Sequence, residues 1–269
     1  MFDEQAWLAK RRYTAEQMQA ARLVLDEIRQ GRDVHQAMRR YPQVGGGYLP
    51  KHILVACYKQ LVESGEWQPD AALLARIRMK PVRTLSGVTT VTVLTDEYPC
   101  PGDCIFCPTE ARMPKSYLSD EPGARRALQN RFDPFAQVGN RLQALEAVGH
   151  PTEKIELLIL GGTWSAYPHP YQLGFMQGCF EALNGVEQSA AGLERLQELH
   201  LDNEEGAHRN VGLVIETRPD AISPRELAWL RRLGVTKVQM GAQSLDDRIL
   251  QLNRRGHTTA ETLKACSLL

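Results

Sequence analysis

The sequence predicts an α/β fold in which parallel strands alternate with helices and curl into a barrel or part of one. Short β-rich apolar runs recur at residues 88–94, 155–160, 211–215 and 235–240, the pattern of strands buried on both faces. Helical stretches lie between them, as right-handed crossovers between parallel strands require. A length of 269 residues suits one α/β barrel, or one to two domains at roughly 150 residues each.

Within this pattern the last crossover is the clearest. Ser223, Pro224 and Glu226 supply an N-cap, a first helical position and a capping-box partner, and Gly234 supplies the stop before the fourth strand. Asp133-Pro134 announces another helix, with Phe135, Val138, Leu142, Leu145 and Val148 on one stripe and Gly149 at its end. Neither a repeat at 20–50 residues nor a low-complexity tract interrupts the order, which excludes solenoids and propellers.

Residues 1–83 are different. They carry 14 Lys/Arg against 9 Asp/Glu, whereas residues 84–269 carry 18 against 23, so a basic front precedes a mildly acidic body. Thr14 and Gln17 form a capping-box pair that opens a helix with Met18, Ala21, Leu25 and Ile28 on one face and Arg22, Arg29 and Arg32 on the other. A second helix starts after Pro50, runs through Ile53, Leu54, Cys57, Tyr58 and Leu61, and stops by Gly65. Gly45, Gly46 and Gly47 read as a connector, because they lack the Lys-Ser/Thr of a phosphate loop and follow no strand. The front is therefore expected to be a small helical region over residues 1–83, ahead of the α/β region at 84–269. Lys10, Arg11, Arg12, Arg39 and Arg40 are its candidates for tracking nucleic-acid phosphates, against the plainer reading of a solvated basic face.

Composition narrows the class. Lys+Arg and Asp+Glu both number 32, with 43% hydrophobic and 24% charged residues, which excludes intrinsic disorder and a globally polybasic binder. No apolar run approaches the roughly 18 residues of a membrane helix, and MFDEQAWLAKRR has no secretory apolar core. A cytoplasmic protein with no membrane partner is expected. Six cysteines are too few for a disulfide scaffold in a chain of this length, and three cluster together, as metal or redox chemistry would require.

That cluster is YPCPGDCIFCP, which places Cys100, Cys104 and Cys107 in CxxxCxxC spacing directly after the first strand, at the barrel end where active sites sit. Three thiolates on one loop can each hold a different iron of a cubane, leaving the fourth iron open. S-adenosylmethionine can chelate an open iron, and one electron from the cluster then cleaves its carbon–sulfur bond to give a deoxyadenosyl radical. The competing reading is a structural zinc site, which needs a fourth ligand, from Cys57, Cys179 or Cys266, and usually pairs its cysteines as CxxC. Those three cysteines otherwise read as core residues. The spacing resembles that of the radical S-adenosylmethionine enzymes, whose cofactors would be a 4Fe-4S cluster and S-adenosylmethionine.

Other strand ends carry polar residues to the same face. Strand two ends in Gly161, Gly162 and Thr163, where that superfamily places a glycine motif against the methionine end of the cofactor, glycine letting the backbone approach closely. Strand three ends in ETRPD with Glu216, and strand four in GAQS with Gln243 and Ser244. Buried strand ends rarely gain polar groups without partners, so Gly161, Gly162, Thr163, Glu216, Gln243 and Ser244 are candidate cofactor-binding residues. Cap and turn chemistry is the alternative for each.

From RMKPVRTLSGV ahead of the cysteines, through KSYLSDEPGARRALQNRFDPFAQVGNRLQALEAVGHPTEKIELLILGGTW, to NRRGHT after strand four, the chain resembles the catalytic subunit of Elongator and its bacterial and archaeal homologues. The resemblance spans residues 77–259 and implies an enzyme that modifies the wobble uridine of tRNA at C5, with acetyl-CoA as co-substrate, to form a carboxymethyl uridine. It implies that Cys100, Cys104 and Cys107 hold the cluster, that Lys154 contacts acetyl-CoA, and that the helical front meets tRNA. It assigns no catalytic side chain. Arg125, Arg126 and Arg131 are candidates for phosphates of tRNA or coenzyme A, or for a solvated helix face. A homodimer or other Elongator-type subunits are the protein partners that the resemblance allows.

Two departures set an expectation about extent. That family's barrel has six strands where four are read here, and nothing in these residues corresponds to its C-terminal acetyltransferase-type domain. The 269 residues are thus expected to be part of a longer protein, a partial radical S-adenosylmethionine barrel behind a helical front. A different radical enzyme acting on a small molecule and a catalytically silent tRNA-binding fragment are the alternative functions.

Overall fold

The computed structural model describes residues 12–43 and 46–269. Lys10, Arg11 and Gly45 of the sequence reading lie outside them. The chain forms two compact units, one from the front up to Thr89 together with Leu142–Thr152, the other from Thr90–Arg141 and Glu153–Leu269. Composition divides the chain at 83/84, whereas chain packing divides it at Thr89 and also brings 142–152 to the front unit.

The helical unit contains α1 (Ala15–Arg29), α2 (Val34–Arg40), α3 (Lys51–Glu63) and α4 (Ala71–Ile77). Each start has a local cause. Gln17 N donates to Thr14 Oγ1 at 3.1 Å while Thr14 N donates to Gln17 Oε1 at 3.0 Å, the capping box expected from the sequence. Asp33 and Asp70 accept from the first-turn amides of α2 and α4, and Pro50 presets the entry to α3. Gly46 and Gly47 adopt φ of +98° and +87° in the turn between α2 and α3. The apolar faces of α1 and α3 meet in a core around Val24, Leu25, Ile28, Ile53, Leu54 and Leu61, where each large side chain contributes about 1.5–3 kcal/mol by burial. Residues 142–152 join this unit through Arg78 Nε, which donates to Gly149 O at 2.8 Å, and through the buried Thr84 Oγ1–His150 Nδ1 pair at 3.0 Å.

The sheet unit has four strands in the order β1-β2-β3-β4: β1 (Thr89–Leu94, of which Thr90–Leu94 lies in this unit), β2 (Lys154–Leu160), β3 (Arg209–Thr217) and β4 (Lys237–Met240). The β2–β3 and β3–β4 ladders are parallel, and Thr95 N donates to Leu160 O at 2.9 Å, so the ends of β1 and β2 lie side by side. Helices follow every strand: α5 (Pro122–Gln129) and α6 (Pro134–Glu146, of which Pro134–Arg141 lies in this unit) after β1, α7 (His169–Asn184) and α8 (Leu193–Asn203) after β2, α9 (Pro224–Arg232) after β3, and α10 (Asp247–Leu252) and α11 (Thr259–Leu268) after β4. This is the α/β order that the sequence predicted. No helix among the described residues is long and apolar enough to cross a membrane.

Two details differ from expectation. The fourth strand begins at Lys237 rather than Val235, because Val235 N bonds back to Leu230 O at 3.0 Å and completes the end of α9. The cap of α9 is half a box: Glu226 N donates to Ser223 Oγ at 3.1 Å, but Glu226 Oε1 is buried without a partner among the described residues.

Candidate active site

The ends of β1–β4 surround a cavity of about 310 Å³, and Cys100, Cys104 and Cys107 all line it. The loop that carries them follows β1 and is held by its own backbone amides: Gly102 N donates to Cys100 Sγ at 3.4 Å and Cys107 N to Cys104 O at 3.3 Å. Gly102 is needed for close approach, since a Cβ there would fall on the Arg218 guanidinium. All six cysteines are free thiols. Cys57 and Cys179 are buried away from the cavity lining, and burial pushes the Cys57 thiol up to about 11, as befits core residues. Cys266, read from the sequence as a core residue, is instead exposed on α11 and also lies outside the lining.

Each cluster cysteine has a distinct polar neighbour. Cys100 Sγ lies 3.4 Å from Thr163 Oγ1, and Ser116 Oγ donates to Cys107 Sγ at 3.0 Å. Cys104, 6% exposed, receives two guanidiniums, Arg255 Nη1 at 3.2 Å and Arg218 Nη1 at 3.8 Å. Arg218 is fixed in turn by Asp220, with Nε to Oδ1 and Nη2 to Oδ2 both 2.9 Å. Burial opposes its charge, yet the Asp220 bonds and charge, followed by Cys104 and Cys100, hold its pKa above the ordinary value.

Of the other residues predicted from sequence, Gly162, Thr163, Glu216 and Gln243 line the cavity. Gly161 sits beneath it with φ +129°, and a Cβ there would fall on Thr95 Oγ1, so glycine is required for the ends of β1 and β2 to approach. Ser244 lines a smaller neighbouring hollow of about 150 Å³ and accepts from Asp246 N at 3.1 Å, a turn bond. Lys154 is exposed at the amino end of β2, paired in register with Arg209. Six residues at about 3.3 Å each separate it from the carboxyl end that faces the cavity. Arg125 donates to Asp120 O at 3.0 Å beside α5, and Arg131 follows that helix at φ +54°.

Tyr117 and Arg255 were not singled out by the sequence. Tyr117 Oη donates to Glu216 Oε2 at 2.7 Å in the cavity wall. Burial, then the Glu216 charge and the bond to it, raise the phenol pKa above its ordinary value, so Tyr117 is a neutral donor that fixes the Glu216 carboxylate. No local pattern marks either residue; Arg255 lies within NRRGHT, but its contact with Cys104 spans 151 positions.

The donor set fits an iron–sulfur cluster. Three thiols line one cavity, a donor set able to hold three irons of a cubane, and the three other cysteines, the candidates for completing a four-ligand zinc site, lie outside its lining. The wall beyond the thiols offers backbone at Gly162, a hydroxyl at Thr163, a carboxylate at Glu216 and an amide at Gln243, groups able to bind a polar cofactor.

Residues 99–269 match the Radical SAM superfamily. A protein of Methanocaldococcus jannaschii named tRNA uridine(34) acetyltransferase is 39% identical over 255 residues, covering 91% of this chain and 46% of that protein. Elongator complex protein 3 of Schizosaccharomyces pombe is 34% identical over 71% of this chain and 37% of its own length. The chain thus spans less than half the length of these curated relatives. A solved structure of archaeal Methanocaldococcus infernus Elp3 with its N-terminus (1–46) deleted aligns with a TM-score of 0.52 at 37% identity, covering 66% of this chain and 34% of that one. Such membership implies an iron–sulfur cluster and S-adenosylmethionine, the groups for which the cysteine loop and strand ends are suited. With a family match over most of its length and three thiols at the ends of its strands, the chain belongs to the Radical SAM superfamily.

Proposed function

We propose that this chain is the radical-generating part of an enzyme that modifies uridine 34 of tRNA, with Cys100, Cys104 and Cys107 holding a 4Fe-4S cluster and the cavity binding S-adenosylmethionine. The observation that carries this reading is the convergence of the three thiols with Gly162, Thr163, Glu216 and Gln243 on one cavity. When bound, the cluster and S-adenosylmethionine supply a carbon-centred radical able to abstract hydrogen. The protein's part is to orient and to shelter. Thr163 beside Cys100 and Ser116 on Cys107 orient the thiols, Tyr117 holds the Glu216 carboxylate in place, and Gly162 leaves room for a ligand at the backbone.

The names of the relatives support tRNA as the substrate and acetyl-CoA as the source of the transferred group. Residues 84–269 would then perform the radical chemistry and the front, 1–83, would meet tRNA in the cytoplasm. Of the candidates for tracking phosphates, Lys10, Arg11, Arg12, Arg39 and Arg40, the last also bonds Glu27. Arg125, Arg126 and Arg131 are candidates for the phosphates of either substrate. Lys154 as the acetyl-CoA contact lies at the end of β2 opposite the cavity, so that assignment requires the coenzyme to extend along the sheet. Homodimers or Elongator-type subunits remain proposals of the same resemblance.

The test is cofactor cleavage together with tRNA binding. The anaerobically loaded and reduced chain is expected to release 5′-deoxyadenosine from S-adenosylmethionine, and to retain labelled tRNA with an affinity that falls steeply with salt. Deoxyadenosine release without any tRNA retention would favour a radical enzyme acting on a small molecule. Salt-sensitive retention without cleavage would identify a silent binding fragment.

A further inference from the structure

We infer that Arg255 and the Arg218–Asp220 pair set the reduction potential of the cluster held at Cys104, Arg255 acting as the uncompensated charge and Arg218 as a balanced one. The inference rests on the cluster reading above and adds a role for residues that are positioning groups, not ligands. Both guanidiniums are nearly buried, Arg218 at 5% and Arg255 at 6% exposed, and both donate to the same sulfur. Neither has lost its charge, because a guanidinium stays protonated in proteins.

Their partners differ. Arg218 is engaged by both oxygens of Asp220, so the pair delivers a hydrogen bond to Cys104 with little net charge. Arg255 has no carboxylate among its bonds: Nη1 goes to Cys104 Sγ, Nη2 to Gly241 O at 2.6 Å, and Nε is buried without a partner among the described residues. Its plane lies over the Phe106 ring, 5.8 Å from the centroid, and Arg218 Nη2 donates to its carbonyl. A full positive charge is thus fixed against one cluster ligand, Arg255 and Cys104 each being only 6% exposed. Reduction adds one negative charge to the cluster, which a fixed cation stabilises; hydrogen bonds to the sulfurs act in the same direction. A structural role alone, tying the cysteine loop to the end of β4, would not depend on the sign of the charge.

The experiment is an electron paramagnetic resonance titration against potential, on the anaerobically reconstituted full chain and its Arg255→Gln, Arg255→Lys and Asp220→Asn variants, with iron content measured for each. At the parent midpoint, Arg255→Gln is expected to lower the reduced-to-oxidised ratio at least tenfold, about 59 mV for a one-electron couple. Arg255→Lys, which keeps the charge, is expected to recover most of that loss. Asp220→Asn, which leaves Arg218 unbalanced, is expected to raise the ratio. Loaded variants whose midpoints coincide with the parent, or an Asp220→Asn shift in the same direction as Arg255→Gln, overturn the inference. Should Arg255→Gln take up no iron, Asp220→Asn decides alone, and an unchanged midpoint there rejects it. A parent chain that forms no cluster at all fails the cluster reading itself, which separates the two failures.

Discussion

The two units handle charge in opposite ways. In the helical unit the core around Leu25, Ile28 and Leu54 is apolar, and the ion pairs, Arg22 with Glu66 and Arg32 and Arg40 with Glu27, involve exposed guanidiniums. In the sheet unit Arg218, Arg255, Thr163, Gln172, Gln177 and Glu181 are all buried. Buried polar groups are costly unless satisfied: Thr163, Arg218 and Arg255 are buried where they meet the cysteine loop at the cavity, whereas Gln172, Gln177 and Glu181 lie on α7 and are satisfied by Trp164 O, by each other and by Ser189. The helical unit is organised for stability and surface contact, the sheet unit for a site.

Breaking each unit should therefore give different losses. The largest effect is expected from Cys104→Ser, which removes one of three cluster thiolates: iron uptake should collapse while circular dichroism of the helices is retained. Leu54→Ala should do the reverse, costing about 2–5 kcal/mol by the cavity it leaves in the helical core, measured by urea unfolding, with the iron content of the folded fraction unchanged. If Leu54→Ala abolished iron uptake by folded chains, the division of roles would be wrong.

Gly161→Ala sharpens the contrast within the sheet unit. The φ of +129° and the overlap with Thr95 predict strain of roughly 1–3 kcal/mol and weakened binding of S-adenosylmethionine, read by calorimetry on loaded protein. A pH effect should be smaller. His200 in α8 packs against Phe180 at 4.1 Å between ring centroids, and burial, opposed by the Leu233 backbone, lowers its pKa. The unfolded chain then binds the proton more readily, so this contribution to stability is intact above the unfolded value of about 6.5 and is lost as pH falls from there through the lower folded value. Replacing His200 with Gln should flatten the stability profile just below that pH. Arg22→Ala is expected to change the thermal midpoint least of all, because its pair with Glu66 is exposed.

Much of this was legible in local sequence, for a physical reason. Caps act over three residues, so Thr14–Gln17 and the Ser223–Glu226 backbone bond announced themselves, and the apolar runs marked where β1 to β3 lie along the chain. The loop of Cys100, Cys104 and Cys107 and the strand-end residues Gly162, Thr163, Glu216 and Gln243 could be placed together at one cavity because spacing and position after a strand are local signals. What escaped depends on distance in sequence. Tyr117 meets Glu216 across 99 positions and Arg255 meets Cys104 across 151, and no local pattern records such contacts. Lys154 shows the converse limit: its alignment at the start of β2 is local, but the strand's direction puts it at the end away from the cavity.

The central claim is that the three thiols build a cluster with an iron open to S-adenosylmethionine. Electron paramagnetic resonance of the reconstituted, reduced chain, recorded with and without S-adenosylmethionine, tests it most directly. A cubane signal is expected, with a shape and position that change when S-adenosylmethionine is added. A cubane signal that S-adenosylmethionine leaves unaltered, or iron uptake that survives replacement of Cys104, would contradict it.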